Sequence, residues 1–221
     1  NGLEFLVERY PCVSLVKSSD LEQVGRQPTP GGGALLALGN PDGTLPGAER
    51  EVGKIAHQFK KSKRLVGKQA TAASLKKLDP GTTYLHMATH GVLDSADPKR
   101  SYLKMAGADL TLTDIYELKL DEVRLVTLSA CQTALESPNP GSEIASLAEA
   151  FSIAGTNSVV ATLWSINDDA TGKLMSEFYK GLASKGSLAG SLQQAEQALL
   201  KDPATAHPYF WAPFVMLGDW R

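Results

Sequence analysis

Cysteine is nearly absent from this chain of 221 residues, which contains only Cys12 and Cys131. A disulfide scaffold needs several cysteines in a much shorter secreted chain, so both are read as free thiols. An excess of charge of one sign is also lacking. With 22 basic and 24 acidic residues the formal net charge is −2, and no cationic surplus exists to neutralise a phosphate backbone. Nucleic acid is therefore excluded as a direct ligand. No apolar run approaches the roughly 20 residues that span a bilayer, and the N-terminus lacks the basic-then-apolar layout of a signal peptide. The expectation is a soluble, cytoplasmic protein with no membrane partner. Asn1 in place of a starting methionine suggests a segment of something larger.

Several motifs are missing as well. Gly31-Gly32-Gly33 has no Gly-Lys-Ser/Thr ending and Gly67-Lys68 runs into Gln69, so a phosphate loop is not indicated. His86 and His90 lie four residues apart along one expected strand and so on one face, as a zinc pair would, but Met87 stands where a zincin needs glutamate and no ligand cluster accompanies them. No metal and no cofactor are expected, and His86 is read as a buried, hydrogen-bonded residue. No Gly-x-Ser-x-Gly marks a serine hydrolase, and no repeat of fixed period is visible.

What is present is a globular composition, 43% hydrophobic, long enough for one large α/β domain. Leu3 to Val16 carries short apolar stretches broken by Pro11, which predicts a strand pair. A Gly- and Pro-rich connection follows, so the expected division is residues 1–33, packed on or part of the core, and the core itself at 34–221. From Ala34, strands and helices alternate. The expected strands are Ala34–Leu38, Arg64–Val66, Thr83–Thr89, Leu125–Leu128, Ser158–Leu163 and a last one within Trp211–Leu217. The expected helices are Ala48–Lys60, Thr71–Leu78, Ser142–Ala154 (stopped by Gly155), Asp169–Ala183 and Ser187–Leu200. Apolar strands alternating with helices predict a mostly parallel sheet covered by helices on both faces.

In such sheets functional groups gather at the carboxyl ends of the strands. His90 and Cys131 each fall just past the end of an expected strand. If those strands are neighbours, about 4.8 Å apart, imidazole and thiol can meet across the crevice. A thiol needs a base to become a good nucleophile, and histidine is the side chain best poised to supply one. Gly91 lets the backbone approach a scissile carbonyl, so its N–H and that of Cys131 are candidate oxyanion donors. The competing reading is an inert buried cysteine and a structural histidine.

The strings Leu85-His86-Met87-Ala88-Thr89-His90-Gly91, Leu128-Ser129-Ala130-Cys131-Gln132-Thr133, Ala154-Gly155 to Thr162-Leu163-Trp164, and His207-Pro208-Tyr209-Phe210-Trp211-Ala212-Pro213-Phe214 resemble the CHAT domain. Leu45-Pro46-Gly47-Ala48-Glu49 with Glu51 is also similar. The resemblance covers about 34–221. It implies a caspase-like fold, grouped with caspases, separase and gingipains, with His90 as general base and Cys131 as nucleophile. It further implies a protein or peptide substrate, and fusion to an N-terminal TPR-type region or control by a regulatory partner. By analogy with caspase-like folds, Trp164, Asp168 and Asp169 are candidate substrate-binding residues, although Asp168 or Asp169 could instead cap the following helix. Relatives that prefer a basic P1 residue carry an acid two positions before the nucleophile, where this chain has Ser129, so P1 preference stays open. Two functions compete: a cysteine endopeptidase, and a catalytically silent module of a signalling or defence complex. Retention of both His90 and Cys131 argues for the first.

Overall fold

The computed structural model describes residues 4–15, 21, 24, 33–94, 97–129 and 140–221. Its centre is a six-stranded sheet built from β1 (Ala34–Gly39), β2 (Ser62–Val66), β3 (Thr82–Ala88), β7 (Leu125–Ser129), β8 (Ser158–Thr162) and β9 (Phe214–Gly218). The spatial order is β2-β1-β3-β7-β8-β9, with β9 alone antiparallel to its neighbour.

Both faces are buried, which is why the central strands read as continuous apolar runs. Along β3, Tyr84, His86 and Ala88 face one side while Leu85 and Met87 face the other. The first side is covered by α2 (Pro46–Ala56), α6 (Asp168–Ala183) and α7 (Leu188–Leu200), through Val52, Ile55, Leu174, Phe178, Leu192 and Leu199. The second is covered by α3 (Ala73–Lys76), α4 (Leu112–Tyr116) and α5 (Pro140–Ile153), through Leu75, Ile115, Leu147 and Phe151. Burying side chains of this size stabilises by about 1.5–3 kcal/mol each, so the sheet is a rigid platform for its strand ends.

Three local differences from the sequence reading have physical causes. In place of an N-terminal strand pair, Leu6–Arg9 form the single helical turn α1, and Ser14 makes one parallel bridge to Leu217. The turn is fixed by Glu8, which accepts from the Phe5 N–H at 2.6 Å, and by Gln193 and Gln197 of α7, which donate to the Val7 carbonyl. Between β3 and α4 lies a small antiparallel sheet, β4 (Gly91–Val92), β5 (Tyr102–Leu103) and β6 (Leu110–Thr111), whose two-residue strands leave no period to detect. Finally, α5 begins at Pro140, two residues before its expected start.

Gly155 does stop α5. It takes φ +114°, and a β-carbon there would press on the backbone of Asp121.

Candidate active site

The chain leaves β1 for β2 on one side and returns to β3 on the other, so the sheet's switch point lies between the carboxyl ends of β1 and β3. The β1–α2 loop and the segment after β3 therefore meet at one crevice. The loop is shaped by Asn40, which adopts φ 51°; its Oδ1 accepts from the Leu45 N–H at 2.7 Å and its own N–H bonds the Ala88 carbonyl at 3.1 Å. Gly43 follows at φ 82°, where a side chain would be strained. This turn lifts Asp42 and Thr44 to His90.

His90 Nε2 lies 2.7 Å from Thr44 Oγ1 and 4.0 Å from Asp42 Oδ2. Thr44 donates its hydroxyl hydrogen to Asp42 Oδ1 at 2.8 Å, and its backbone N–H bonds the same oxygen at 3.1 Å. The Asp42 carboxyl is held below its ordinary range. Partial burial opposes that shift, but the two Thr44 bonds and the nearby His90 outweigh it. Neither Asp42 nor Thr44 carries a role in the sequence analysis.

The strands that carry His90 and Cys131 are neighbours. β3 and β7 pair in parallel with Ala88 opposite Ser129, two residues before His90 and two before Cys131. Cys131 itself, with residues 130–139, lies outside the described residues. Gly91 pairs with Leu103 across β4 and β5, and the flanking ladder bond runs from the Lys104 N–H to the His90 carbonyl at 2.8 Å.

Beside these strand ends is a cleft lined by Gly47, Glu51, Ser129, Trp164, Ile166 and Asp168, among others. Trp164 is held by its Nε1–H to the Tyr209 carbonyl at 3.0 Å, and the Tyr209 hydroxyl returns a bond to the Ser165 carbonyl at 2.8 Å. Tyr209 therefore braces the cleft wall. Asp168 lines the cleft, whereas Asp169 is not among the residues that line it. Neither is the cap of α6: Asn167 is, with Oδ1 accepting from the Ala170 N–H at 2.8 Å.

Glu51 forms part of the cleft and of a buried network that sequence reasoning did not assign. His86 is fully buried; its Nε2 lies 2.8 Å from Glu51 Oε1 and its Nδ1 lies 3.2 Å from the Tyr179 hydroxyl, which donates to Thr127 Oγ1 at 2.9 Å. The Glu51 contact is close enough for an ion pair but is not aligned as a hydrogen bond. Burial pushes the Tyr179 hydroxyl far above its usual range, so it stays a neutral donor. Among the described residues there is no cluster of His, Cys, Asp or Glu suited to a metal ion. No helix among them is long and apolar enough to cross a membrane.

The CHAT domain family model matches residues 1–219. The chain belongs to the CHAT domain family. A relative among characterised proteins is human tetratricopeptide repeat protein 28, 30% identical over 110 residues, which is 50% of this chain and 4% of that protein. Solved structures with the same fold include the Arg-specific cysteine proteinase gingipain R, with TM-score 0.57 and 13% identity over 85% of this chain and 46% of that one. Another is the separase–securin complex of Saccharomyces cerevisiae, with TM-score 0.61 and 14% identity, covering 91% of this chain and 13% of that one. At these identities the likeness to the structures establishes the fold of the CHAT domain, which is that of caspase-like cysteine proteases. The chain spans less than half the length of each of these three proteins.

Proposed function

We propose that this CHAT domain is a cysteine endopeptidase in which Cys131 is the nucleophile and His90 the general base. The observation that carries the reading is the parallel pairing of β3 with β7, Ala88 opposite Ser129, which brings the two chain segments out of adjacent strands beside one cleft. The thiol gives its proton to His90, and the thiolate attacks the peptide carbonyl. The protonated imidazole then delivers that proton to the departing amine, leaving an acyl-enzyme for water to hydrolyse. The backbone N–H groups of Gly91 and Cys131 receive the oxyanion.

Asp168 and Trp164 contact the P1 side chain in this reading, and Asp169 adds charge at the approach. Among the described residues the cleft lining includes Asp168 and Glu51 and no lysine or arginine, which favours a basic P1 residue. Arg specificity of the gingipain supports the same direction. Full activity depends on an N-terminal TPR-type region or a bound partner, whose differential contacts to the competent conformation must amount to several kcal/mol to move the domain from mostly inactive to mostly active. A peptide library scored for cleavage by the full-length protein tests the proposal: cleavage after Lys or Arg, abolished by Cys131→Ala, is expected. Undiminished cleavage by Cys131→Ala would refute the nucleophile, and cleavage confined to acidic or apolar P1 residues would refute the pocket assignment.

A further inference from the structure

His90 has two ring nitrogens, and which one carries hydrogen decides which can act as a base. A hydroxyl has a single hydrogen to give. Thr44 gives its hydrogen to Asp42 Oδ1 at 2.8 Å, because an ionised carboxylate can only accept. Thr44 Oγ1 must then accept at its other contact, so the hydrogen in the 2.7 Å bond to His90 belongs to Nε2. We infer that Asp42 and Thr44 are positioning residues that lock His90 in its Nε2–H tautomer, leaving Nδ1 as the base for the reaction. The inference rests on the proposed role of His90 and extends it from a dyad to a relay of named atoms.

When the S–H bond of the thiol breaks, its proton binds His90 Nδ1 and the ring becomes a cation whose Nε2–H still bonds Thr44. The Thr44 hydrogen stays toward Asp42, so no proton travels down the relay. When the amine leaves, the Nδ1 proton goes with it and the ring returns to the Nε2–H form. Asp42 stabilises the cation from 4.0 Å without being protonated. Its low carboxyl range agrees with that role. Other charged or titratable groups also bear on the pair. Lys104, adjacent through its backbone bond to His90, interacts with Asp42 and Tyr102 and is itself paired with Asp109 at 3.1 Å.

Thr44→Val removes the hydroxyl and keeps the shape, Thr44→Ser restores the hydroxyl, and Asp42→Asn removes the charge. Imidazole ¹⁵N NMR of selectively labelled full-length protein reads the tautomer whether or not the protein is cutting. The expected result is a His90 held as Nε2–H in the wild type, a mixed population in Thr44→Val, and recovery in Thr44→Ser. In parallel kcat falls roughly 10- to 100-fold in Thr44→Val with KM little changed, as for a lost bond to a charged group. In Asp42→Asn kcat falls as well, because the imidazolium formed at His90 has lost the carboxylate 4.0 Å from its Nε2. A wild-type His90 found as Nδ1–H, or a Thr44→Val protein unchanged in both tautomer and kcat, would overturn the inference. A His90 tautomer that follows Thr44 while His90→Ala leaves cleavage untouched would uphold the lock and refute the peptidase reading, so the two fail separately.

Discussion

The carboxylate of Asp168, in the first turn of α6, occupies the space that a β-carbon on Gly47, in the first turn of α2, would need. The glycine in Leu45-Pro46-Gly47-Ala48 is thus a matter of room: α2 can begin at Pro46 only with a bare backbone under the cleft's acidic side chain. Helix propensity alone would favour alanine by about 1 kcal/mol.

Gly47→Ala is therefore expected to push Asp168 out of the cleft by shifting the first turn of α6, since the Asp168 β-carbon would itself lie 2.5 Å from the new methyl. Cleavage of peptides with a basic P1 residue should drop at least several-fold in kcat/KM, with Asp168→Asn showing a similar loss. Steady-state kinetics beside a thermal melt decides the matter. A loss of melting temperature with unchanged specificity would mean that the contact is only structural.

Beneath the cleft, removing one member of the buried Glu51–His86 contact leaves the other without compensation in an apolar setting. His86→Ala should destabilise by about 3–5 kcal/mol, and Tyr179→Phe, which gives up one neutral hydrogen bond, by about 1 kcal/mol. Urea midpoints at constant m-value report both. A His86→Ala protein of native stability but without activity would instead place His86 in the chemistry.

Much of this architecture was legible in the residues. β3 and β7 announced themselves because both sheet faces are covered, and Gly155 ends α5 as its position suggested. The N-terminal stretch misled because Phe5-Leu6-Val7 is too short to show a period. Its helical turn depends on Gln193 and Gln197, nearly two hundred residues away. Asp42 and Thr44 were invisible for a different reason. Their role exists only because the strand order sets the end of β1 beside the end of β3, and no local pattern encodes that neighbourhood. Asp168 was legible as a candidate, but its exchange of roles with Asn167 at the helix cap needed the backbone.

Glu196 of α7 makes a separate pH prediction. Burial raises its carboxyl from 4.5 to about 8. The folded protein then holds a proton that the unfolded chain releases, so stability is undiminished below about pH 4.5 and declines as pH rises toward 8, beyond which the penalty is constant. Glu196→Gln should flatten that decline. Denaturation free energies between pH 5 and 9 check it, and an unchanged slope in the variant would assign the pH dependence to other groups.

Covalent labelling of the full-length protein by an irreversible thiol-directed peptide inhibitor with a basic P1 residue, mapped by mass spectrometry, reports directly on the nucleophile and its base. A nucleophilic Cys131 activated by His90 gives a single adduct on Cys131, unaffected by Cys12→Ala and slowed by roughly 10²- to 10⁴-fold in His90→Ala, where the thiol has lost its base. Labelling confined to Cys12, which is exposed and whose thiol burial and Glu196 push toward the unreactive protonated form, would contradict it. So would labelling of Cys131 at an undiminished rate in His90→Ala.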